Sequence, residues 1–588
     1  MDVPSLNESK SKIVNTTKGL QDVYAHLGEY FASRVLFTTD EPFELTGYQN
    51  ELTGLQMRDL GYKIAHALAA GKVVHRPNAR VIIAKRNHGD YFFYTHSVMY
   101  AGGVPVVVNS KTGWARIGGM QALSAARAII TDADTLLRRA DDADLRKLMT
   151  SGVRFWVVDR DIERVRAAFP SSSPIDHLWP LIEGAPATPV PLRDYADDSP
   201  VALFHTSGTT GVPKLCVYDV RTTRESWKAA AAFPLTEKSR RMTGLPCAHA
   251  VFFIAQTGAF LGGAWTYLPS RFDPKAWLSA MDRYQITYYL GFPYTYMRMA
   301  AEDHSQYKLD SMQGWMSGGD TAHAAHIEKF KKFGAHEVKF GPIHIPSGSF
   351  FINPYGSTEI GGGAVYHFSV PGQKAIPCKV GKATSGTGGD WKMRIVDKDW
   401  RDVPAGQVGR IVLKGEYAPR GYWNNDEQWF ENRVDGWTWI GDVGRIDEEG
   451  FLYFLDREVD AIKTVGGTVY SLEAEEHILA HEEIMEAAVV KRTLPSDADL
   501  GEAIALIVPK GHLEREEPRR DWSRLEADVK AFANARIAAK IAEVRVVALE
   551  ELPLGVTGKV LKRKLREALD AEPAGASAPR DRRDPAAP

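Results

Sequence analysis

The sequence predicts an α/β protein with a large N-terminal domain and a smaller α+β C-terminal domain. The chain has 588 residues, which is more than a single hydrophobic core usually organises. Short β-branched runs alternate with helical stretches, a pattern typical of parallel sheets covered by helices. Predicted strands lie at 79–84, 104–108 and 128–131, and a predicted helix lies at 57–70.

The pattern changes twice farther along the chain. Strand and helix alternation continues over 245–370, and from about 380 to 455 short strands are separated by glycine and turn residues. This change predicts a small β-rich subdomain within the N-terminal α/β domain. We therefore predict a flexible N-terminus, a large N-terminal domain, a mobile C-terminal domain and a disordered tail, over 1–17, 18–455, 456–568 and 569–588.

The C-terminal domain is predicted to mix helices and strands. Apolar runs at 487–490 and 503–508 are predicted strands. Helical patterns cover 473–480, 525–539 and a basic stretch at 559–566.

Composition limits the classes of partner. The formal net charge is −2 and the sequence has no local basic patch, so we expect no nucleic acid partner. No uncharged apolar stretch is long enough to span a bilayer, and the N-terminus lacks a secretory signal pattern. The three cysteines have no paired spacing, which argues against disulfides and zinc sites. We expect a cytoplasmic protein.

The strongest local signal is a loop of glycine and hydroxyl residues that follows the predicted strand at 201–204. It reads His205-Thr206-Ser207-Gly208-Thr209-Thr210-Gly211-Val212-Pro213-Lys214. Glycines let backbone amides approach an anion, hydroxyls donate further hydrogen bonds, and the lysine supplies positive charge. The spacing does not match the Walker loop of common NTPases. The loop is therefore a candidate site for a triphosphate.

Thr206 to Lys214 resembles the signature loop of the adenylate-forming superfamily, which includes acyl-CoA synthetases, peptide-synthetase adenylation domains and luciferases. Further motifs follow in the family's order over roughly 45–566, and the chain is closest in type to acyl- or aryl-CoA ligases. The resemblance implies ATP, Mg²⁺ and coenzyme A as the co-substrates and metal. It also implies ligands for the nucleotide at Thr206, Ser207, Gly208, Thr209, Thr210, Gly211, Lys214, Gly318, Gly319, Asn353, Tyr355 and Gly356.

The same resemblance assigns four positions to catalysis. His249, in Leu245-Pro246-Cys247-Ala248-His249, corresponds to a residue that flanks the acyl site. Thr358 and Glu359 end the motif that begins at Asn353, and Glu359 is the carboxylate that would hold magnesium. Lys559, in Gly555-Val556-Thr557-Gly558-Lys559, corresponds to the lysine that bridges the carboxylate and the α-phosphate.

The remaining motifs concern the ribose, the hinge and the thiol. Asp442, in Trp439-Ile440-Gly441-Asp442, and Arg457 are predicted to contact the ribose. Gly466 and Gly467 resemble the loop beside the thiol tunnel. Val459 stands at the usual polar hinge position, and Ser471 replaces a common proline.

The resemblance implies two half-reactions on one chain. In the first, the acid is adenylated and pyrophosphate leaves. In the second, a thiol displaces AMP after the C-terminal domain rotates about the hinge. The alternatives are an enzyme that delivers acyl-AMP to a separate carrier protein or partner enzyme, a member specialised for one half-reaction, a luciferase-type oxygenase, and a non-catalytic nucleotide-binding protein.

The substrate is expected to be an apolar, aromatic or polycyclic carboxylic acid, in keeping with secondary metabolism, and bulky aryl, fatty, polyketide and terpenoid acids all remain candidates. The aspartate that peptide-synthetase domains place near Ala248 or His249 to bind an α-ammonium is missing, which disfavours α-amino acids. An aromatic acyl pocket is consistent with six residues, for which core packing is the alternative. These are His249, Phe252, Phe253, Tyr289, Phe292 and Tyr294.

Overall fold

The computed structural model describes residues 23–43, 45, 50–191, 195–206, 214–233, 235–319, 322–340, 343–383, 390–511, 522–555 and 558–572. By their internal contacts the residues form two compact units. The first comprises Met1–Phe454 with Val556–Gly558, and the second comprises Leu455–Gly555 with Lys559–Pro588. The predicted flexible N-terminus lies outside the described residues.

The first unit contains both helices and strands throughout its length. Its helices are α1 (Val23–Tyr30), α2 (Gly54–Ala70), α3 (Tyr91–Tyr100), α4 (Trp114–Ser124), α5 (Ala133–Leu137), α6 (Ala143–Met149), α7 (Glu163–Ala168), α8 (Trp179–Glu183), α9 (Val220–Ala232), α10 (Ala250–Leu261), α11 (Pro274–Arg283), α12 (Pro293–Ala300), α13 (Ala324–Phe330) and α14 (Asp426–Phe430).

The strands between residues 35 and 457 follow the same order along the chain. They are β1 (Val35–Thr39), β2 (Glu51–Thr53), β3 (Arg80–Ala84), β4 (Val104–Val108), β5 (Ala128–Thr131), β6 (Arg154–Val157), β7 (Ile175–His177), β8 (Pro200–His205), β9 (Leu215–Asp219), β10 (Arg240–Thr243), β11 (Trp265–Leu268), β12 (Tyr288–Gly291), β13 (Gly314–Ser317), β14 (Val338–Phe340), β15 (Ile343–Ile345), β16 (Phe350–Ser357), β17 (Gly362–Ser369), β18 (Lys379–Ala383), β19 (Trp391–Val396), β20 (Gly409–Gly415), β21 (Arg433–Val434), β22 (Trp437–Ile446) and β23 (Leu452–Arg457).

Helix α2 shows how local sequence sets an element's start. The Thr53 hydroxyl accepts the Gln56 amide hydrogen at 3.3 Å, and the Gln56 side chain accepts the Thr53 amide at 2.9 Å. This reciprocal pair satisfies two amides that the first turn leaves without helical partners. The helix in the structure therefore begins at Gly54, three residues before its predicted start at 57.

A seven-stranded sheet carries the glycine and hydroxyl loop. Its strand order is β7-β6-β5-β3-β4-β8-β9. All pairings are parallel except that of β8 with β9, which is antiparallel. Apolar strands such as β4 and β5 are buried along their whole length, as expected for strands covered on both faces. The predicted parallel α/β architecture is confirmed here.

A second sheet of 14 strands contains both parallel and antiparallel pairs. Its order is β19-β20-β22-β23-β18-β17-β16-β13-β12-β10-β11-β1-β2, with β21 paired to β22. The pairs from β16 through β13, β12, β10 and β11 to β1 are parallel. The pairs β16–β17, β17–β18, β18–β23, β20–β22 and β19–β20 are antiparallel. The predicted β-rich segment is therefore present, and its strands continue the larger sheet.

The parallel part of this sheet has a core on each face. Met242, Tyr289 and Trp315 pack on one face with α11 and α12. Leu290 belongs to the core on the other face, where Phe252 and Phe253 of α10 also pack. Because side chains alternate along a strand, neighbours such as Tyr289 and Leu290 serve different cores.

The second unit is a smaller α+β structure. Its helices are α15 (Ser471–Leu479), α16 (Ser523–Asn534) and α17 (Lys562–Asp570), and its strands are β24 (Ile462–Thr464), β25 (Gly467–Val469), β26 (Ile484–Leu494), β27 (Asp497–Pro509) and β28 (Ile541–Val546). Strands β26, β27 and β28 form one sheet, and β24 pairs with β25. The predicted strands at 487–490 and 503–508 lie inside β26 and β27.

Two predicted helices in this unit have different bounds. The helix predicted over 525–539 ends at Asn534, because the Asn534 side chain pairs with both backbone groups of Ile541, at 2.8 and 3.0 Å. The basic helix predicted over 559–566 begins at Lys562. Before it, Leu554 and Val560 form an antiparallel bridge. Helix α17 continues to Asp570, inside the predicted tail.

No helix in the part of the chain that the structure describes has the length and apolar character that crossing a bilayer requires. Cys216, Cys247 and Cys378 are all buried free thiols.

Candidate functional site

The ends of the glycine and hydroxyl loop are fixed by a β-pair. His205 of β8 pairs with Leu215 of β9, and the Thr206 amide donates to the Lys214 carbonyl at 3.0 Å. Thr206 is buried. The predicted ligands Ser207, Gly208, Thr209, Thr210 and Gly211 lie outside the described residues. The pairing brings Thr206 and Lys214 together at the neck of the loop.

Tyr422 links Lys214 to Glu359. The Lys214 ammonium nitrogen lies 5.3 Å from the centroid of the Tyr422 ring. The Tyr422 hydroxyl donates to Glu359 Oε1 at 3.3 Å. Burial, and then the negative charge of Glu359, raise the pKa of Tyr422 well above its usual range, so the phenol keeps its donor hydrogen. Lys214 contacts the ring of Tyr422, and Glu359 contacts its hydroxyl, so Tyr422 links two predicted ligands. Tyr422 itself was not among the predicted site residues.

Strand-like pairing sets the position of Tyr422. The Val217 amide donates to the Gly421 carbonyl at 3.0 Å, and the Trp423 amide donates to the Leu215 carbonyl at 2.8 Å. Cys216 and Tyr422 form an antiparallel bridge between them. Residues 421–423 thus extend the sheet beyond β9. Because this contact joins segments about two hundred residues apart in sequence, no local pattern signals it.

Glu359 lies on a short 3₁₀ helix, Thr358–Ile360, directly after β16. The Tyr218 hydroxyl donates to the Thr358 carbonyl at 3.3 Å, and Arg433 donates to the Glu359 carbonyl at 3.4 Å. The Arg433 guanidinium lies 3.4 Å from the Trp429 ring centroid, and burial lowers the pKa of Arg433 to about 10. These contacts fix the backbone of the turn, and its carboxylate has Tyr422 as a neighbour.

The donor set at Glu359 fits magnesium carried by a nucleotide. Among the described residues, no group of three or more His, Cys, Asp or Glu side chains could hold a metal ion without other ligands. Magnesium bound with a nucleotide takes one or two carboxylates, with phosphate oxygens and waters as its other ligands. A single carboxylate at Glu359 beside the neck of a phosphate-type loop matches that requirement.

A buried carboxylate, Asp442, lies at the predicted nucleotide site. The Tyr355 hydroxyl donates to Asp442 Oδ2 at 2.7 Å, and both side chains are buried. The Trp439 indole nitrogen donates to the Asp442 carbonyl at 3.0 Å. Asn353 is also buried and accepts the Ala322 amide hydrogen at 3.1 Å. Tyr355 and Asp442 are thus brought together from strands β16 and β22.

Two of the predicted glycines, Gly356 and Gly319, lie where a side chain does not fit. A Cβ on Gly356 would lie 1.9 Å from the Gly362 carbonyl oxygen. Gly319 has a φ of +70°, and a Cβ there would lie 2.2 Å from Phe292 Cε1. Gly318 donates its amide to the Gly291 carbonyl at 3.0 Å. The close approach of Gly319 to Phe292 makes these two residues one wall.

His249 lies next to that wall and caps a helix. Its Nδ1 accepts the Val251 amide hydrogen at 3.2 Å at the start of α10. Its ring meets Phe292 edge to face, with centroids 5.3 Å apart. The structure therefore gives the predicted catalytic His249 a structural contact at the edge of the Phe292 wall.

The predicted aromatic acyl pocket needs correction. Tyr289 faces the opposite side of the sheet from α10, and its hydroxyl donates to Thr295 at 2.7 Å. Phe252 and Phe253 are almost fully buried in the core beneath α10. Strand alternation places Tyr289 on the other face of the sheet. Of the six, His249 and Phe292 are in ring contact, with Phe292 buried and His249 partly exposed, and the Tyr294 ring packs against Phe272.

The other predicted ligands belong to the second unit. Arg457 is exposed just after Asp456. Val465 and Gly466 form the turn of the β24–β25 hairpin, and Gly467 begins β25 with a φ of +120°; Val465 is 87% exposed. The Lys559 carbonyl accepts the Gly555 amide hydrogen at 2.7 Å, so Lys559 lies on an extended segment before α17.

A buried polar cluster in the second unit was not predicted. Asp456 Oδ2 accepts both the amide and the hydroxyl of Ser471, at 2.5 and 2.7 Å. Lys562 donates to the Ser471 hydroxyl at 2.6 Å and pairs with Glu475 at 2.8 Å. Burial raises the pKa of Asp456 to about 6. Ser471 stands where proline is common in the family. Its amide hydrogen, which a proline would lack, bonds to the Asp456 carboxylate.

Known proteins resemble the chain over most of its length. The sequence profile of a family described as AMP-binding enzyme matches residues 35–423. A 3-aminoavenalumate diazotase from Streptomyces sp is 27% identical over 87% of this chain and 89% of its own. A feruloyl-CoA synthase from Amycolatopsis sp is 26% identical over 86% of this chain and 91% of its own.

Solved structures share the fold. An anthranilate CoA ligase, AuaEII, in complex with anthranoyl-AMP superposes with a TM-score of 0.78 at 20% identity, covering 94% of this chain and 97% of that one. ATP-bound MatB from Rhodopseudomonas palustris gives 0.73 at 20% identity, covering 94% and 99%. The predicted two-domain fold class is confirmed. The chain therefore belongs to the AMP-binding enzyme family, in line with its adenylate-forming motifs.

Proposed function

We propose that the enzyme activates an aryl carboxylic acid with ATP and then transfers the acyl group to coenzyme A. The observation that carries this proposal is the arrangement of Lys214, Tyr422 and Glu359 at the neck of the glycine and hydroxyl loop. A cation and a carboxylate held by one aromatic residue suit a polyphosphate and its metal.

In the first half-reaction, a carboxylate oxygen of the acid forms a bond to the α-phosphorus of ATP. The bond from that phosphorus to the bridging oxygen breaks, and pyrophosphate leaves with the electron pair. Such a transfer depends on positioning and charge neutralisation. Lys214 supplies positive charge at the loop neck, and Lys559 is proposed to bridge the acid and the α-phosphate. Magnesium held by Glu359, when bound, supplies further charge neutralisation on the phosphate oxygens.

The nucleoside is proposed to bind at Asp442. A carboxylate accepts hydrogen bonds from two hydroxyls at once, which matches the two ribose hydroxyls. Tyr355 fixes one carboxylate oxygen by its 2.7 Å bond, and Trp439 fixes the backbone of the same residue. Gly318, Gly319, Asn353 and Gly356 are proposed to form the adenine side of this pocket.

In the second half-reaction, the thiolate of coenzyme A attacks the acyl carbon and the bond to the AMP oxygen breaks. Lys559 is not required at that carbonyl. We propose that the domain over 456–568 moves between the steps, presenting Lys559 first and then the hairpin with Gly466 and Gly467. Val459, 66% exposed and next to Arg457, stands at the proposed hinge.

The names of relatives favour an aryl acid. The feruloyl-CoA synthase matches over most of both chains, and its name specifies an aryl acyl group. A medium/long-chain-fatty-acid–CoA ligase from Mycobacterium tuberculosis is 27% identical over 65% of this chain, so fatty acids form the comparison set. The Phe292 and His249 pair offers an aromatic wall beside Gly319.

Three free, buried cysteines support a reducing, cytoplasmic setting.

A second candidate function follows from the diazotase relative, which matches 87% of this chain. Diazotisation condenses an aryl amine with nitrous acid, releasing water and leaving a diazonium group. Incubation with an amino-substituted cinnamic acid, nitrite and ATP, followed by coupling to an aromatic dye precursor, reports that product directly.

The test of the main proposal is acid-dependent pyrophosphate release over a panel of aryl, fatty and polycyclic acids, with and without coenzyme A. Mass spectrometry follows acyl-AMP and acyl-CoA in the same reactions. We expect aryl acids to release pyrophosphate and to form acyl-CoA when coenzyme A is present. Acyl-AMP that accumulates despite coenzyme A would favour transfer to a carrier protein or partner enzyme.

A further inference from the structure

Arg241 is a buried cation that has no anionic partner among the residues the structure describes. It lies on β10, inside the large sheet between β11 and β12, and is 3% exposed. Its Nη1 donates to the Ala255 carbonyl and to the Gln256 side chain, each at 3.1 Å. Its Nη2 is buried and has no hydrogen-bond partner among the described residues. Burial alone lowers the pKa of Arg241 to about 9, which leaves it charged at neutral pH.

The register of the sheet places Arg241 below the predicted site. Arg241 pairs with Tyr288, and Tyr288 pairs with Gly314. On the same face, Gly318 follows Gly314 by four residues, which is about 13 Å along the strand. Ligands of parallel sheets bind beyond the carboxyl ends of the strands. Arg241 therefore lies on the α10 face, deeper in the fold than the glycines at 318–319.

Partly exposed apolar residues connect the two levels. Met316 lies on the inner strand β13, and Val251 and Ala255 lie on α10, yet all three retain solvent exposure. A helix that packs closely on an inner strand buries the residues between them. Their exposure indicates space between α10 and the sheet. A Cβ on Gly318 would lie 3.7 Å from Val251 Cγ1, and Arg241 bonds to the Ala255 carbonyl, so the face of α10 that carries Val251 and Ala255 runs from Gly318 to Arg241.

We propose that Arg241 recognises an oxygen acceptor at the far end of the acyl group, remote from the carboxylate that is adenylated. The inference rests on the proposed function and names its substrate class, an aryl acid with a distal phenolic or carboxylate oxygen. Nη2 supplies the donor. A buried guanidinium with an unused donor destabilises the fold unless a partner arrives, and such a donor discriminates against acids that lack the acceptor.

Arg241 also takes part in a small polar network. Gln256 donates to Thr266 at 3.2 Å while accepting from Arg241 Nη1. This network could by itself attach α10 to the sheet, which would make Arg241 structural. The network bonds to Nη1 and leaves Nη2 without a partner among the described residues. Experiments can therefore distinguish a structural role of Arg241 from recognition of the substrate.

The test compares the full-length enzyme with R241M, R241K and R240M. Arg240 is the matched control, because it is the preceding residue on β10 and its guanidinium lies over Trp265, 4.2 Å from the ring centroid, on the other face of the sheet. Two isosteric pairs of acids serve as probes, 4-hydroxycinnamate with 4-methylcinnamate and 4-carboxycinnamate with 4-isopropylcinnamate. The readouts are kcat/KM for pyrophosphate exchange, Kd by calorimetry and Tm.

We expect the wild type and R240M to prefer the acceptor-bearing member of at least one pair by about 10-fold or more. R241M should lose that preference, keep its rate with the methyl or isopropyl acid within a few-fold, and match or exceed the wild-type Tm because methionine removes a buried charge. R241K should retain part of the preference.

An unchanged preference in R241M would overturn the inference. So would an equal loss of rate with all acids accompanied by a lower Tm, which would mark Arg241 as structural. If no acid supports exchange in the wild type, the proposed function fails, and calorimetry still decides the role of Arg241. Tighter binding of acceptor-bearing acids to wild type than to R241M supports it, and equal or undetectable binding to both contradicts it.

Discussion

The hydroxyl of Tyr355 donates a hydrogen bond of 2.7 Å to Oδ2 of Asp442, and both side chains are buried. The two residues come from strands β16 and β22. A buried carboxylate held from one side keeps its other acceptor positions in a fixed direction. The bond therefore prepares Asp442 for the pair of ribose hydroxyls that we propose it binds.

Removing the Tyr355 hydroxyl should weaken ATP binding and leave the rate of the chemical step nearly unchanged. We expect Y355F to raise the KM for ATP by about 10-fold with little change in kcat, and D442A to lower kcat/KM for ATP by about 100-fold. Steady-state kinetics with varied ATP checks both. Y453F, in the neighbouring strand β23, is the control. A fall in kcat alone for Y355F would contradict a positioning role.

The Tyr422 contact predicts a link between this residue and magnesium. We expect E359Q to lower adenylation by about 100-fold while the protein stays folded. Y422F should raise the magnesium concentration needed for half-maximal rate, because it removes the donor to Glu359 Oε1. Magnesium titrations of pyrophosphate exchange measure both effects. If E359Q lowers the Tm strongly, Glu359 has a structural role instead.

Lys559 should matter for one half-reaction. We expect K559A to lower acid-dependent pyrophosphate exchange by about 100-fold or more, while synthetic acyl-AMP and coenzyme A still form acyl-CoA within a few-fold of the wild-type rate. K564A, an exposed lysine on α17, is the matched control. Equal loss of both half-reactions in K559A would refute the proposed assignment.

Asp456 predicts a pH-dependent stability. Burial raises its folded-state pKa to about 6 from an ordinary value near 3.8. A raised folded pKa gives stability that is present below the ordinary pKa and is lost as pH rises through the folded pKa. The free energy of unfolding of wild type relative to D456N should therefore fall by about 3 kcal/mol between pH 3.5 and pH 7, roughly the span of this shift.

Denaturant unfolding of both proteins over this pH range measures that difference. E550Q replaces an exposed carboxylate in the same unit and is the control. Asparagine can still accept hydrogen bonds from Ser471, so the variant is expected to fold. A difference between wild type and D456N that does not change with pH, or that grows as pH rises, would show that the buried carboxylate does not titrate in this way.

Contiguous motifs carried the predictions of the site residues. The segments at 205–214, 353–359 and 439–442 each combine glycine with polar residues over a short stretch of sequence. The α/β class followed from strand and helix periodicity in the same way. These are local properties that one segment of sequence carries by itself.

Contacts between segments that are distant in sequence could not be predicted. Tyr422 reaches Glu359 only because residues 421–423 pair with β9. Tyr289 was placed in the acyl pocket because a sequence does not reveal which face of a sheet a strand residue takes. Asp456 and Ser471 meet through folding of the second unit, and Asn534 ends α16 by bonding to Ile541, seven residues later.

The central claim is that a carboxylate oxygen of the acid attacks the α-phosphorus of ATP. The most direct test is a reaction of wild-type enzyme with ATP, coenzyme A and an aryl acid labelled with ¹⁸O in its carboxylate, followed by mass spectrometry of the released nucleotide. The account predicts AMP that carries a single ¹⁸O from the acid. Formation of ADP, or of AMP without the label while acyl-CoA is made, would contradict it.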